Sequence, residues 1–151
     1  MTEMRKLEQF HVVGVAGEVI PQGAPGFNPM AIPALWDELM AHLGSQAETV
    51  GPMYGVGQMD YATGKLHYVA GYASAETPEG LAGIEVPAGD YYVLTHIGSL
   101  EGLGQSLGQF FGQTVHAEQL KLGGGPFVEV YTDEFVPGSP DSKFDTLFPV
   151  G

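Results

Sequence analysis

Cysteine is missing from this sequence, and basic residues are few. Without thiols the chain forms neither disulfides nor thiolate zinc sites. The 5 Lys and Arg residues are scattered and face 18 Asp and Glu, whereas binding of nucleic-acid phosphates needs a clustered basic face. No apolar run near the start is long enough for a signal peptide or a membrane span. We therefore predict no direct nucleic-acid binding, no membrane association and a cytoplasmic location.

What the sequence does contain is apolar material and acidic charge. Its 151 residues are 44% hydrophobic and carry a formal net charge of −13. This length is typical of one compact domain with a sizeable core, so residues 1–151 are expected to form a single domain. The acidity either keeps the protein soluble or attracts a cationic ligand or a basic protein partner.

Two helices are predicted from apolar residues at helical spacing. The first is opened by Asn28 with Pro29, or by Pro33 in its first turn, and is closed by Gly44. The second is capped by Gly98 and Ser99. The apolar stripe of the first helix consists of Ile32, Leu35, Trp36, Leu39, Met40 and Leu43, and that of the second of Leu100, Leu103, Leu107, Phe110 and Phe111.

Segments rich in Val, Tyr and Phe between Gly and Pro predict strands. They lie at residues 10–20, 53–59, 66–74, 91–97, 127–136 and 143–150. The order is strand, helix, strand, strand, and it occurs twice, at about 10–74 and 84–150, which indicates an internal duplication. The predicted fold class is therefore α+β, with antiparallel sheets, helices on one face and a ligand cleft between the halves.

The strand at residues 127–136 carries the main candidate for a binding residue. Side chains alternate across a strand, so Phe127, Glu129 and Tyr131 share one face and Val128 and Val130 the other. We expect the Val face to pack against a helix, which leaves Glu129 between two aromatic rings. A carboxylate in such a place needs a partner, and a cationic ligand can supply it; otherwise Glu129 is an ordinary exposed strand residue.

Other aromatic residues are candidates for the walls of the same cleft. Tyr68 and Tyr72 share a strand face and either add cation–π attraction, as Tyr131 would, or serve in ordinary cross-strand packing. Trp36, Phe111 and Phe148 are assigned either to the core or to the floor of the cleft. His96 is a further candidate ligand-binding residue.

Motifs for other chemistry do not occur. The five histidines do not have the spacing of metal ligands, and the Gly-rich segments lack the lysine and the strand–loop–helix context of phosphate loops. There is no serine-hydrolase elbow. We predict no metal, no cofactor and no catalytic residue; if the chain were an enzyme, Glu129 would activate a water with help from Tyr131 or His96.

Several segments together resemble the GyrI-like small-molecule-binding domains, which also form the effector-binding part of AraC- and MerR-type regulators. They run from about residue 10 to the C-terminus. The segments are Ile32-Pro-Ala-Leu-Trp36, Tyr54-Gly-Val, Leu66-His-Tyr-Val-Ala-Gly71, Ile84-Glu-Val-Pro-Ala-Gly-Asp-Tyr-Tyr92, His96-Ile-Gly98, Pro126-Phe-Val-Glu-Val-Tyr131 and Leu147-Phe-Pro-Val150. Two places depart from the pattern: Thr114-Val-His-Ala117 stands where a Trp-Leu pair is usual, and Asp145 is the carboxylate before the last strand.

The resemblance implies a duplicated fold with Glu129 in a cleft between the repeats. Members of the family sense lipophilic cations, inhibit gyrase or hydrolyse cyclopropane-containing compounds. We therefore predict a stand-alone domain that binds a small organic molecule, cationic and partly apolar. The alternatives are a hydrolase of reactive small molecules that uses Glu129, and a gyrase-inhibitor-like module with a basic protein partner. The DNA-binding role of the regulators is not expected to carry over.

Overall fold

The computed structural model describes residues 2–21, 24–99, 102–136 and 139–151. Eight antiparallel strands form one sheet, in the order β1-β6-β8-β7-β3-β4-β2-β5. The strands are β1 (Glu3–Leu7), β2 (Phe10–Val19), β3 (Met53–Asp60), β4 (Lys65–Ala73), β5 (Ala82–Val86), β6 (Gly89–Ile97), β7 (Phe127–Tyr131) and β8 (Lys143–Pro149). The α+β class with helices on one face of an antiparallel sheet is confirmed.

Three strand predictions need correction. The edge strands β1 and β5 were not predicted, so two strands rather than one precede each helical segment, and β7 ends at Tyr131 rather than at residue 136. Beyond Tyr131 the chain turns, because the Phe135 amide donates to the Thr132 carbonyl at 3.1 Å. The five residues Thr132 to Val136 therefore continue away from the ladder, although Phe135 and Val136 have the composition of a strand.

The sheet must curl, because its links are short. Only Pro87 and Ala88 join β5 to β6, which span about 11 Å at most. In a flat sheet these strands would be six spacings apart, or roughly 29 Å. The link from β1 to β2 imposes the same constraint with residues 8 and 9. The curl encloses an apolar core to which both ends of the sheet contribute, from Leu7 on β1 to Val86 on β5.

The strand order is symmetric between the two halves of the chain. If the labels β1, β2, β3 and β4 are swapped with β5, β6, β7 and β8, in that order, the strand order of the sheet reads as the original order taken backwards. Each half also places its first strand on the other half, since β1 pairs with β6 and β5 pairs with β2. β3 and β7 pair at the centre, where the halves meet. A duplicated unit accounts for this symmetry, and the repeat boundaries at about 10–74 and 84–150 stay predictions.

Helix α1 (Ala31–Leu43) begins and ends where its sequence signals predict. The Asn28 side chain accepts a hydrogen bond from the Met30 amide at 3.0 Å, and Gly44 ends the helix with a positive φ of 54°. A positive φ suits glycine because it has no Cβ. The helix buries Leu39 and Leu43 against β2 and β4.

The second helical segment starts later than predicted. Helix α2 (Leu103–Gln109) continues through a π-helical turn (Phe110–Thr114) into α3 (Val115–Ala117). Its N-cap is Gly102 rather than Gly98 or Ser99, and the predicted stripe residue Leu100 lies outside the described residues. Across the described ranges no helix is both long and apolar enough to cross a lipid bilayer.

Gly108 weakens α2 without serving packing. A Cβ at this position would meet no heavy atom of the described residues within 4 Å, so alanine fits among them. Because glycine costs a helix up to about 1 kcal/mol relative to alanine, Gly108→Ala should raise the free energy of unfolding by about 0.5–1 kcal/mol. Chemical denaturation with an unchanged m-value would verify this, and a lower midpoint would contradict it.

The assignment of strand faces also needs correction. Val128 and Val130 do not pack against a helix; they belong to the core inside the curl. The opposite face of β7 lies on the helix side of the sheet, where Phe127 packs against the clusters built on both helical segments. The sheet faces that were predicted to line an open cleft are therefore the faces that pack together inside the curl. Glu129 lies on the other face of the sheet, which carries the helices.

Candidate functional site

The site is centred on a row of mostly small residues that crosses the middle of the sheet. Strand register places Glu129 of β7 between Gly55 of β3 and Thr146 of β8, and Gly55 next to Ala70 of β4. Two residues away along the strands, aromatic side chains flank this row on the same face. On one side stand Tyr68, Phe127 and Phe148, and on the other Tyr72, Tyr131 and Phe144. Glu129 is thus the acidic residue of an otherwise small and aromatic surface.

A hydrogen bond from a neighbouring strand holds the Glu129 carboxyl. The Tyr68 hydroxyl donates to Glu129 Oε1 at 2.5 Å, and the Trp36 indole Nε1 donates to the Tyr68 oxygen at 3.1 Å. Both atoms of the Tyr68–Glu129 bond lie over Gly55, where a Cβ would overlap them. Glycine at residue 55 is therefore a condition for this contact.

The environment makes ionisation of Glu129 difficult. Burial raises the pKa of its carboxyl from 4.5 to about 7, and hydrogen bonds from Tyr68 and Tyr131 partly oppose this rise. Burial and the nearby carboxylate hold the pKa of both tyrosines well above the usual value, so both phenols stay protonated donors. Within the described residues, no ion pair involves Glu129. The carboxyl therefore has a pKa near neutral and no cationic partner in the part of the chain that the structure describes.

Tyr131 joins the carboxyl to a cluster of aromatic rings. Its ring stacks on Phe144 with centroids 4.8 Å apart, and Phe135 meets it edge-on at the same distance. Trp36 approaches it edge-on from α1 at 5.3 Å. Trp36, Glu129 and Tyr131 are each partly exposed, so a molecule from solvent can reach this cluster.

A second aromatic cluster lies toward the other helical segment. Phe148 stacks on Phe110 at 5.0 Å and meets Phe111 edge-on at 5.1 Å, while Phe127 lies 6.3 Å from Phe148. The π-helical turn brings the consecutive residues Phe110 and Phe111 onto the same ring. Phe111 is 42% exposed, so this cluster is also accessible from outside.

Three residues singled out from the sequence lie at the margin of the site. Tyr72 shares the face of Tyr68 but is separated from Tyr131 by Met53. His96 is buried, with Nε2 donating to the Ser99 carbonyl at 2.7 Å and Nδ1 2.9 Å from the Ser106 hydroxyl; its ring reaches the site through Phe144. Asp145 binds Arg5 and Thr95 on the opposite face.

Metal binding has no support in the part of the chain that the structure describes, since no three potential ligand side chains cluster there.

A family model for the GyrI-like small molecule binding domain matches residues 1–150. The chain belongs to this family. Among curated proteins, the transcriptional regulator BrlR of Pseudomonas aeruginosa is 32% identical over 91 residues, which is 58% of this chain and 34% of the regulator. The match thus spans about a third of that protein.

Two solved structures share the GyrI-like fold along the whole chain. SAV2435 bound to tetraphenylphosphonium superposes with a TM-score of 0.76 at 17% identity, covering 100% of this chain and 94% of the other. The C-terminal domain of EcmrR gives 0.65 at 13% identity, with 100% and 97% covered. The chain is therefore a GyrI-like small-molecule-binding domain, and part of it is similar to a transcriptional regulator.

Sequence reasoning missed part of this site. Phe144 and Phe135, which pack on Tyr131, and Phe110, which stacks on Phe148, were not proposed as site residues. Gly55 and Thr146, the neighbours of Glu129, were missed as well. The alternation of Phe144, Thr146 and Phe148 along β8 was a usable signal, since it puts two aromatics on one face.

Proposed function

We propose that this GyrI-like domain binds small, partly apolar organic cations, and that Glu129 supplies the countercharge. The observation that carries the proposal is a carboxyl with raised pKa, hydrogen-bonded by the Tyr68 phenol and flanked by aromatic rings, with no cation paired to it among the described residues. A ligand cation would compensate the lost hydration. Tyr131, Trp36 and the Phe148 cluster would cover its apolar groups.

Two further facts support this ligand class. A structure of the same fold, SAV2435, carries tetraphenylphosphonium, an organic cation whose charge is enclosed by phenyl rings. The net charge of −13 favours the approach of any cation. Aromatic faces add roughly 0.5–2 kcal/mol per well-placed cation–π contact.

The test compares two ions of the same shape and opposite charge. Tetraphenylphosphonium should bind in isothermal titration calorimetry at pH 8, and tetraphenylborate should not. At about 100 times its dissociation constant, the phosphonium should stabilise the domain by roughly 2.7 kcal/mol, which is readable as a higher melting temperature. Equal binding of both ions would remove charge from the proposal, and binding of neither would remove this ligand class.

A further inference from the structure

Two consecutive hydrogen bonds link helix α1 to the carboxyl at the centre of the sheet. An indole N–H can only donate and an ionised carboxylate can only accept, so the direction of the two hydrogen bonds is fixed when Glu129 is ionised. Trp36 donates to the Tyr68 oxygen at 3.1 Å, and the Tyr68 O–H must then point to Glu129, 2.5 Å away. Tyr68 is fully buried, so its hydroxyl cannot donate a hydrogen bond to solvent instead of to Glu129.

We propose that Trp36 is a positioning residue for the Glu129 carboxyl and acts through the hydroxyl of Tyr68. By donating to the phenol oxygen, the indole orients the phenol O–H toward the carboxylate. It also polarises that O–H bond, because a hydroxyl whose oxygen already accepts a hydrogen bond is a stronger donor through its hydrogen. Trp36 thereby favours the ionised carboxylate before any cation arrives.

Few other groups near Glu129 can influence the ionisation of its carboxyl. The elements around Glu129 present Gly55 from β3, Thr146 from β8 and Tyr68 from β4. Its own strand presents Tyr131, and α1 presents Trp36 against the same tyrosines. Among the described residues, the titratable groups facing the carboxyl are thus the two tyrosines, and of these Tyr68 is the one that accepts a hydrogen bond from Trp36.

This inference deepens the proposed function and rests on it for the use of the carboxyl: Trp36 would set the pH above which the site accepts a cation. The experiment is nevertheless made on the ligand-free protein. A failure to bind cations would overturn the proposed function alone, and an unchanged titration would overturn the positioning role alone.

The measurement follows the carboxyl carbon of Glu129 by NMR between pH 5 and 9, with Glu129→Gln to assign the signal. Tyr68→Phe should raise the titration midpoint by roughly one pH unit, since a hydrogen bond to a charged group is lost. Trp36→Phe should raise it by roughly 0.2–0.5 unit, the share expected from polarisation of one bond. In the Tyr68→Phe background, Trp36→Phe should add nothing.

The double variant separates positioning from packing. Equal shifts from Trp36→Phe with and without the Tyr68 hydroxyl would mean that the indole acts by burial, and no shift in either background would mean that it does not act on Glu129; each result overturns the proposal. Trp36 is the one tryptophan of the sequence. Its benzothiophene analogue can therefore be incorporated at this position alone, which keeps the ring volume and removes the N–H if Trp36→Phe fails to fold.

Discussion

Glu129→Gln should lower the affinity for tetraphenylphosphonium about ten- to a hundredfold at pH 8 while leaving the domain folded. A carboxylate and a cation about 5 Å apart attract each other by roughly 3 kcal/mol at an effective dielectric constant of 20, and desolvation of the pair offsets part of this. Glutamine keeps the shape and still accepts a hydrogen bond from Tyr68. Calorimetric titration of both proteins measures the difference, and unchanged affinity would remove Glu129 from the site.

Wild type and Glu129→Gln should also differ in how their affinity for tetraphenylphosphonium depends on pH. Since a cation prefers the ionised carboxyl and the pKa of Glu129 is about 7, wild-type affinity should fall up to about tenfold per pH unit below 7 and level off above it. Binding near pH 7 should release protons. Glu129→Gln should show neither effect, so a parallel slope in the variant would assign the titration to other groups.

Stability of the ligand-free protein should change in the opposite direction. The folded-state pKa of Glu129 lies above its unfolded value of 4.5, so the contribution of this group to stability is fully present below pH 4.5 and is lost as the pH rises through about 7. Other carboxylates contribute to the total slope. The difference between wild type and Glu129→Gln isolates this group and provides an internal check on the binding data.

Gly55→Ala should destabilise the domain by about 1–3 kcal/mol and weaken cation binding. The added Cβ would overlap the Tyr68 hydroxyl and the Glu129 carboxylate, so their hydrogen bond must open, and overpacking of this kind costs that much. Backbone entropy alone predicts the reverse, because alanine in a strand is favoured over glycine by roughly 0.5–1 kcal/mol. The sign of the change therefore tests the geometry.

Gly125→Ala is the matched control. Its Cβ would lie 3.7 Å from Pro149, which is an ordinary van der Waals distance, so stability and binding should stay close to wild type. Denaturant titration and calorimetry of both variants give the comparison. If Gly55→Ala were as stable as Gly125→Ala and bound the phosphonium normally, the Tyr68–Glu129 contact would not matter for the site.

The sequence predicted those features that depend on local pattern. Helix α1 was predictable because its apolar spacing lies between an Asn-Pro signal and a terminal glycine. Alternation along β7 correctly grouped Phe127, Glu129 and Tyr131. The pattern could not tell which strand face meets the helices, because that depends on how the whole sheet curls.

The remaining features depend on strand order and register, which no local pattern encodes. Gly55 and Thr146 become neighbours of Glu129 only through the pairing of β3 with β7 and of β7 with β8. Strand β1 was missed because its sequence, Glu-Met-Arg-Lys-Leu, has little apolar content. Its assignment to the edge follows from the ladder with β6, over eighty residues away in sequence.

The exchange of first strands between the halves makes each half structurally incomplete by itself. A separated first half would lose β5 from the flank of β2, and a separated second half would lose β1 from the flank of β6. The two halves are therefore held together by reciprocal strand exchange as well as by the central β3–β7 pairing, and Glu129 lies on that central pairing.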